Sequence, residues 1–140
     1  MIGIGSEHGG YTLKEHIKEL LASKGIEVKD FGAYSTDSVD YPDIAKPVCE
    51  SVASGECECG ILVCGTGIGM SIAANKVNGL RAAHVTDSYS ARMTKEHNNA
   101  NVICLGERIT GVEIANDIVN AYLSAEYAGG RHEKRVEKIM

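Results

Sequence analysis

The sequence of 140 residues lacks the features that mark membrane-spanning, secreted or nucleic-acid-binding proteins. No run approaches the roughly 18 consecutive apolar residues of a transmembrane helix. The N-terminus has no charged leader followed by a long apolar core, so no signal peptide is predicted. The net charge of -5 disfavours a general nucleic-acid surface. We therefore expect a cytoplasmic protein that binds neither membranes nor nucleic acid.

The five cysteines form neither a disulfide pattern nor a metal-binding pattern. An odd number of cysteines without a secretory leader favours reduced thiols in the cytosol. Cys57 and Cys59 are separated by one residue, whereas common zinc and redox motifs place two residues between their cysteines. The sequence therefore predicts no metal site.

Linkers, low-complexity tracts and internal repeats are also absent, and the length suits a single domain over residues 1–140. Apolar runs predict strands at 1–5, 26–31, 60–64, 80–85 and 102–105. Helical patterns predict helices at 11–23, 42–53, 71–76, 88–97, 112–123 and 131–140. This regular alternation predicts an α/β fold, with a five-stranded parallel sheet covered by helices on both faces.

The most informative segment is an apolar run, Ile61-Leu62-Val63, that ends in Cys64 and continues as Gly65-Thr66-Gly67-Ile68-Gly69-Met70. The run predicts a buried parallel strand, and the glycines permit a tight turn that a ligand can approach closely. The helix predicted from Ser71 would place free backbone N–H groups at its N-terminus, where anions bind. Cys64 would stand at the carboxyl end of a strand, where open α/β sheets bind ligands.

Two interpretations of Cys64 are open. The positive end of a helix dipole favours a thiolate, which suits a nucleophile or a base that transfers protons. The alternative is that Cys64 is a small core residue beside an ordinary glycine-rich turn. A dinucleotide-binding fingerprint is not predicted, because G-x-G-x-x-G from Gly65 would require glycine at the position of Met70.

Three further groups carry side chains suited to chemistry. Glu7 and His8 follow the first strand directly, where they either contact a polyol or an anion or simply begin a helix. His97 closes a helix and is either an acid–base group or a favourable cation at a helix C-terminus. Arg131 and Arg135 lie one turn apart on one helix face, which suits a phosphate but equally a solvated charged helix.

Taken together, the motifs resemble the ribose/galactose phosphate isomerase family, and within it the ribose-5-phosphate isomerases of the B type. The resemblance covers essentially the whole chain. It is carried by five segments in the same order: 5–10, 38–43, 64–76, 96–102 and 129–135. Cys64 matches the subgroup that uses a cysteine base, since members without it use a carboxylate at the position of Met70.

The resemblance implies a Rossmann-like three-layer domain with a C-terminal helix. It implies a homodimer whose active sites are shared between subunits, with a tetramer as a further option. The implied activity is that of an aldose–ketose isomerase, which interconverts ribose 5-phosphate and ribulose 5-phosphate through an enediolate in the pentose phosphate pathway. No metal or organic cofactor is implied.

Roles for individual residues follow from the same resemblance. The partner subunit's His97 would assist ring opening, with Thr66 and Glu7 nearby. Cys64 would carry the proton between two carbons as a base. The enediolate oxygen would be held by the backbone N–H groups of Gly65, Gly67, Ile68, Gly69 and Met70. The phosphate would be held by His8, Arg131, Arg135 and the partner subunit's Arg108, and the sugar hydroxyls by Tyr41 and Asn98.

The chain departs from the resemblance at Glu7, where the family usually has aspartate. The carboxylate sits one methylene further from the backbone, so its sugar contact and the choice of substrate could differ. Isomerisation of a six-carbon phosphate, such as allose or galactose 6-phosphate, or of a rare free sugar is therefore an alternative. A non-catalytic phosphosugar-binding module on the same fold is an alternative of another class.

Overall fold

The structure is a computed structural model that describes residues 1–139; Met140, the last residue of the predicted terminal helix, lies outside the described residues. The strands are β1 (Ile2–Ser6), β2 (Val28–Asp30), β3 (Cys59–Cys64), β4 (Ala82–His84) and β5 (Val102–Gly106). The helices are α1 (Tyr11–Ser23), α2 (Tyr41–Ala53), α3 (Ile68–Ala74), α4 (Ser88–Asn98), α5 (Val112–Ser124) and α6 (Glu133–Ile139). Short 3-10 turns lie at His8–Gly10 and Gly130–His132.

The five strands form one parallel sheet in the order β2-β1-β3-β5-β4. Helices α1, α4 and α5 cover one face, and α2 and α3 cover the other. The central strand β3 is buried throughout, with Ile61 and Val63 in one core and Leu62 and Cys64 in the other. The predicted Rossmann-like three-layer α/β fold is therefore confirmed.

The strand order determines where a ligand can bind. From β1 the chain moves to β2 on one side, whereas β3 lies on the other side, so the order reverses between β1 and β3. In open parallel sheets such a reversal opens a crevice at the carboxyl ends of the strands, and ligands bind there. The segments after β1 and β3, which carry Glu7 and Cys64, flank this crevice.

The differences from prediction concern the ends of elements. Helix α3 begins at Ile68 instead of Ser71, because the N–H groups of a first turn need no intrahelical partner and Gly69 is tolerated there. Strands β2 and β4 are shorter than predicted, since both are edge strands and pair on one side only. Strand β3 begins one residue earlier, at Cys59, because it pairs on both sides.

Two kinds of structure are absent from the part of the chain that the structure describes. None of its helices combines the length and the apolar character needed to cross a bilayer. None of its histidine, cysteine and acidic side chains form a group of three or more that could hold a metal ion.

A buried lysine ties α1 to the segment that leads into the crevice. Lys14 is fully buried, and its Nζ lies 2.9 Å from both carboxylate oxygens of Asp30. The same ammonium group donates to the carbonyl of Ala33, and Asp30 accepts the N–H of Gly32 at 2.8 Å. These bonds fix the chain just after β2, from which it runs to Tyr41 at the start of α2.

Asp30→Asn is expected to destabilise the protein more at neutral pH than in acid. Burial alone would raise the pKa of Asp30, but hydrogen bonds from Lys18 and Lys14 outweigh it and hold the pKa below its ordinary value. Such a carboxylate stabilises the fold above its unfolded pKa of about 3.9, and the effect is lost as the pH falls through the folded value. Because Lys14 would keep a buried charge without a counter-ion, we expect a loss of about 3 kcal/mol at pH 7, measured by urea unfolding.

The matched control is Lys29→Met, which removes a more exposed ion pair with Glu56. Its cost should be much smaller than that of Asp30→Asn, because solvent screens an exposed pair. The deficit of Asp30→Asn should shrink as the pH falls through the folded pKa of Asp30, because the wild-type carboxyl then becomes protonated as well. A deficit no larger than that of the control, or one that does not change with pH, would contradict this assignment.

Candidate active site

The segments that follow β1, β3 and β5 are joined by backbone hydrogen bonds at the carboxyl edge of the sheet. The N–H of Glu7 donates to the carbonyl of Val63 at 3.3 Å. The N–H of Arg108 donates to the carbonyl of Gly65 at 3.0 Å. The crevice between β1 and β3 therefore has a fixed backbone rim, and the side chains on that rim lie close together.

Cys64 ends β3 at this rim, with 7% of the residue exposed. The N–H of Gly67 points at its sulfur, with an N···Sγ distance of 3.1 Å. A donor in this position stabilises negative charge on the sulfur. The hydroxyl oxygen of Thr66 accepts the N–H of Ile68 at 3.2 Å. Two of the five predicted oxyanion donors are thus bonded within the loop itself.

Three other buried cysteines are kept as thiols by a raised pKa. Burial raises the pKa of Cys49 to about 12 and that of Cys59 to about 11, and it raises the pKa of Cys104 well above its ordinary value. Cys49 lies within α2, Cys59 begins β3, and Cys104 lies within β5. Because none of the three stands at the carboxyl end of a strand, Cys64 is better placed than they are for proton transfer.

Glycine is required at two positions of the loop. Gly67 has a φ of 83°, and a Cβ there would lie 2.8 Å from the ring of His84. A Cβ at Gly69 would lie 2.9 Å from the ring of Tyr41, so the absence of a side chain lets that ring lie against the loop. Met70 is fully buried in the core beneath α2 and α3, so only its backbone can face a ligand.

Glu7 and His8 lie beside the loop and contact each other. Oε2 of Glu7 is 3.3 Å from Nδ1 of His8, and the N–H of Val39 donates to the same nitrogen at 3.3 Å. Oε1 of Glu7 is buried and has no hydrogen-bond partner within residues 1–139. Such an oxygen suits a donor from a ligand, for example a sugar hydroxyl.

Arg108 completes this set of side chains. A Cβ at Gly65 would lie 3.1 Å from one guanidinium nitrogen of Arg108, and a Cβ at Gly9 would lie 3.5 Å from the other. Within residues 1–139 the guanidinium makes no hydrogen bond or ion pair, so it is free to bind an anion. We refer to these residues as the carboxyl-edge group: Glu7, His8, Tyr41, Cys64 to Met70 and Arg108.

The position of Arg108 corrects one expectation from the sequence. The resemblance implied that the partner subunit supplies this arginine to the site. The structure instead places the guanidinium beside Gly65 and Gly9 of its own chain. The reason is the backbone bond between Arg108 and Gly65, which joins the segment after β5 to the Cys64 loop.

The remaining candidate residues lie at the opposite edge of the sheet. Helix α4 begins beyond the carboxyl end of β4 and runs back, so His97 and Asn98 end it a few residues before β5 begins. The ring of His97 stacks on that of His132 in the C-terminal segment, where Arg131 and Arg135 are exposed. We refer to these residues as the amino-edge group: His97, Asn98, Arg131, His132 and Arg135.

The two groups are too far apart to meet within one chain. Strand β3 has six residues, so at about 3.3 Å per residue its two ends are about 16 Å apart. Cys64 stands at one end. His97 lies near the start of β5, whose first residue pairs with Gly60 at the other end of β3. A site that uses both Cys64 and His97 therefore has to draw them from two chains.

Two histidines near these groups were not singled out from the sequence. His84 contacts the Gly67 position, and His132 stacks on His97 with ring centroids 4.3 Å apart. Both contacts join segments that are distant along the chain. The sequence offers no spacing signal for either contact, because each depends on how the fold brings distant segments together.

The match to a family model decides what kind of protein this is. Residues 2–139 match the model described as Ribose/Galactose Isomerase. The chain belongs to the ribose/galactose isomerase family. This membership agrees with the resemblance found in the sequence.

Individual members of the ribose/galactose isomerase family are similar over nearly the whole chain. A solved ribose-5-phosphate isomerase B of Clostridium thermocellum is 59% identical, with a TM-score of 0.97 over 99% of this chain and 93% of that one. Ribose-5-phosphate isomerase B of Escherichia coli K12 is 48% identical over 138 residues, which are 99% of this chain and 93% of the relative. D-erythrulose-4-phosphate isomerase of Pectobacterium atrosepticum is 45% identical over 139 residues, which are 99% of this chain and 91% of the relative.

For a sugar isomerase of this family, the carboxyl-edge group supplies what proton transfer next to a carbonyl requires. The sulfur of Cys64 accepts a backbone N–H. The buried oxygen of Glu7 can accept a hydroxyl, and Arg108 can attract an anionic substituent. The arrangement therefore fits isomerisation of a sugar that carries a negative charge.

Gly67→Ala is expected to destabilise the loop by more than the strain that any alanine has at a positive φ. The new Cβ would lie 2.8 Å from His84 and 2.9 Å from the backbone of Leu105, so the loop has to move. Gly55→Ala is the matched control, because Gly55 has a φ of 86° and open space around it. We expect the control to lose about 1–2 kcal/mol with full isomerase activity, and Gly67→Ala to lose more, with turnover falling at least about tenfold. Equal effects of the two changes in thermal unfolding and turnover would show that the close packing at Gly67 is unimportant.

Proposed function

We propose that this protein interconverts ribose 5-phosphate and ribulose 5-phosphate, the substrate class named for its relatives from Clostridium thermocellum and Escherichia coli, in the pentose phosphate pathway of the cytoplasm. The observation that carries the proposal is the Gly67 N–H, held 3.1 Å from the sulfur of Cys64 in a loop that borders Arg108. A module that only bound phosphosugars would have no use for a thiol held in this way. The reaction needs no metal or organic cofactor, because a proton moves between neighbouring carbons of one molecule.

Cys64 acts as a base and forms no covalent bond to the sugar. As a thiolate it takes the proton from C2 of the open-chain aldose, and the electron pair moves through the C1–C2 bond to O1. The thiol then gives the proton to C1, while the C2 hydroxyl passes its own proton to O1 and O2 becomes the ketone oxygen. The backbone N–H groups of residues 65–70 that are not bonded within the loop hold the enediolate oxygen, and such donors are worth roughly 3–4 kcal/mol each.

The phosphate and the hydroxyls place the reacting carbons over Cys64. His8 and Arg108 hold the phosphate together with the partner subunit's Arg131 and the partner subunit's Arg135. Support comes from the guanidinium groups of these arginines, which make no hydrogen bond or ion pair within residues 1–139. Tyr41 and the partner subunit's Asn98 contact sugar hydroxyls. Binding of the remote phosphate orients the reacting end of the substrate.

A homodimer with two shared sites follows from the same argument. Each site combines the carboxyl-edge group of one subunit with the amino-edge group of the other, and a two-fold axis generates two identical sites. The separation of about 16 Å between the two edges of the sheet supports this arrangement. Exposed apolar side chains on α3, Ile68 and Ile72, offer a surface that a second copy would cover. Two such dimers could pair further into a tetramer.

Cys64→Ala is expected to abolish isomerisation while ribose 5-phosphate still binds. Loss of a general base should lower kcat by at least about 100-fold, whereas the residues that hold the phosphate remain in place. Turnover would be followed by the formation of ribulose 5-phosphate, and binding by calorimetry.

The matched control for this change is Cys57→Ala, which removes another buried thiol before β3 begins, at the far edge of the sheet. It should keep the turnover of the wild type. A Cys64→Ala variant that retains a tenth of wild-type turnover would refute the role of the thiol. If the wild type were inactive with ribose 5-phosphate but active with allose or galactose 6-phosphate, the proposed substrate would be refuted instead.

A further inference from the structure

The proposed reaction does not explain one close contact in the amino-edge group. The imidazole rings of His97 and His132 lie face to face, with 4.3 Å between their centroids and 14° between their planes. Both residues are half-buried. A stacked pair at the place from which His97 would reach a second subunit calls for a physical explanation.

Stacking is what holds the ring of His97. Within residues 1–139 neither nitrogen of this ring has a hydrogen-bond partner. Other histidines are held differently: His16 bonds to Asn116 through Nε2 at 2.9 Å, and His8 accepts the N–H of Val39. Both nitrogens of His97 therefore stay free for a substrate, while the direction of the ring depends on His132.

The backbone fixes His132 in this place. Gly129 and Gly130 have φ values of 63° and 56°, a conformation that favours glycine and that turns the chain back towards α4. The N–H of His132 donates to the carbonyl of Gly129 at 3.0 Å. A second bond, from the N–H of Ala128 to the carbonyl of Glu96 at 3.0 Å, joins the segment to α4 next to His97.

The charge state of His132 agrees with such a role. Desolvation lowers the pKa of His132, and the neighbouring His97, Arg131 and Arg135 lower it further. A neutral His132 ring can stack on His97 without repelling a proton that His97 carries. The ring of His97 then remains free to exchange a proton with the sugar.

We propose that His132 is a positioning residue, which fixes by stacking the direction in which the His97 ring meets the sugar during ring opening. The inference rests on the proposed function, because it requires a substrate that forms a ring. His132 touches His97 and does not need to touch the sugar. Its effect should therefore be confined to the step that His97 serves.

A double variant separates that step from the rest. Ribose 5-phosphate is mainly a ring, and opening it breaks the C1–O4 bond while O4 gains a proton and the C1 hydroxyl loses one. Because the equilibrium between the two pentose phosphates is fixed, a change in this step alters kcat/KM equally in both directions. A residue that acts only through His97, however, has no effect once the imidazole of His97 has been removed.

The experiment compares His132→Ala, His132→Phe and the control His16→Ala, each in the wild type and in a His97→Asn background. His132→Ala should lower kcat/KM for ribose 5-phosphate about 10- to 100-fold in the wild type and should change the residual activity of His97→Asn by less than about twofold. His132→Phe keeps a flat ring and should restore most of the loss. His16→Ala removes a histidine outside both groups and should have no effect in either background.

Proton NMR reports the stack independently of activity. The ring protons of His97, assigned by their loss in His97→Asn, should be shifted upfield in the wild type and in His132→Phe, and should move downfield in His132→Ala. An equal loss in the wild-type and His97→Asn backgrounds, no loss at all, or a failure of His132→Phe to restore activity would overturn the proposal. Ring protons of His97 that show no upfield shift in the wild type would also overturn it. If the shift is present but the protein is inactive on both pentose phosphates, the proposed function alone is refuted.

Discussion

The direction of the parallel strands is the constraint on which the rest of this structure depends. Every strand ends at the same edge of the sheet, and every helix carries the chain back to the other edge. Residues that follow strands, such as Cys64 and Arg108, therefore gather at one edge. Residues that end helices, such as His97, gather at the other. A single chain thus carries two groups of candidate residues at opposite edges of the sheet.

Much of the fold could be predicted because local patterns determine it. The bounds of α1 were confirmed as predicted, since Leu13, Ile17 and Leu21 mark its buried face at helical spacing. The start of α3 was wrong because Gly69 resembles a loop residue, and the reason glycine stands there is the ring of Tyr41. That contact joins two helices, and no local pattern contains it.

The candidate site divides in the same way between what is local and what is not. Cys64 and its loop are contiguous in the sequence, so the strand-to-helix pattern alone pointed to them. The placement of Arg108 in the site of its own chain depends on the pairing of β5 with β3. The stack of His132 on His97 depends on how the C-terminal segment returns to α4. Sequence patterns therefore supplied candidate residues, but they could not predict how the fold groups those residues in space.

Complementation between two damaged subunits tests the shared site most directly. Cys64→Ala and His97→Asn subunits should each be nearly inactive alone with ribose 5-phosphate. Unfolded and refolded together, they should form heterodimers in which one of the two sites has both residues intact, so that up to about half of the wild-type turnover per heterodimer returns. If mass spectrometry finds heterodimers and no activity returns, Cys64 and His97 act within one chain, which would contradict the account.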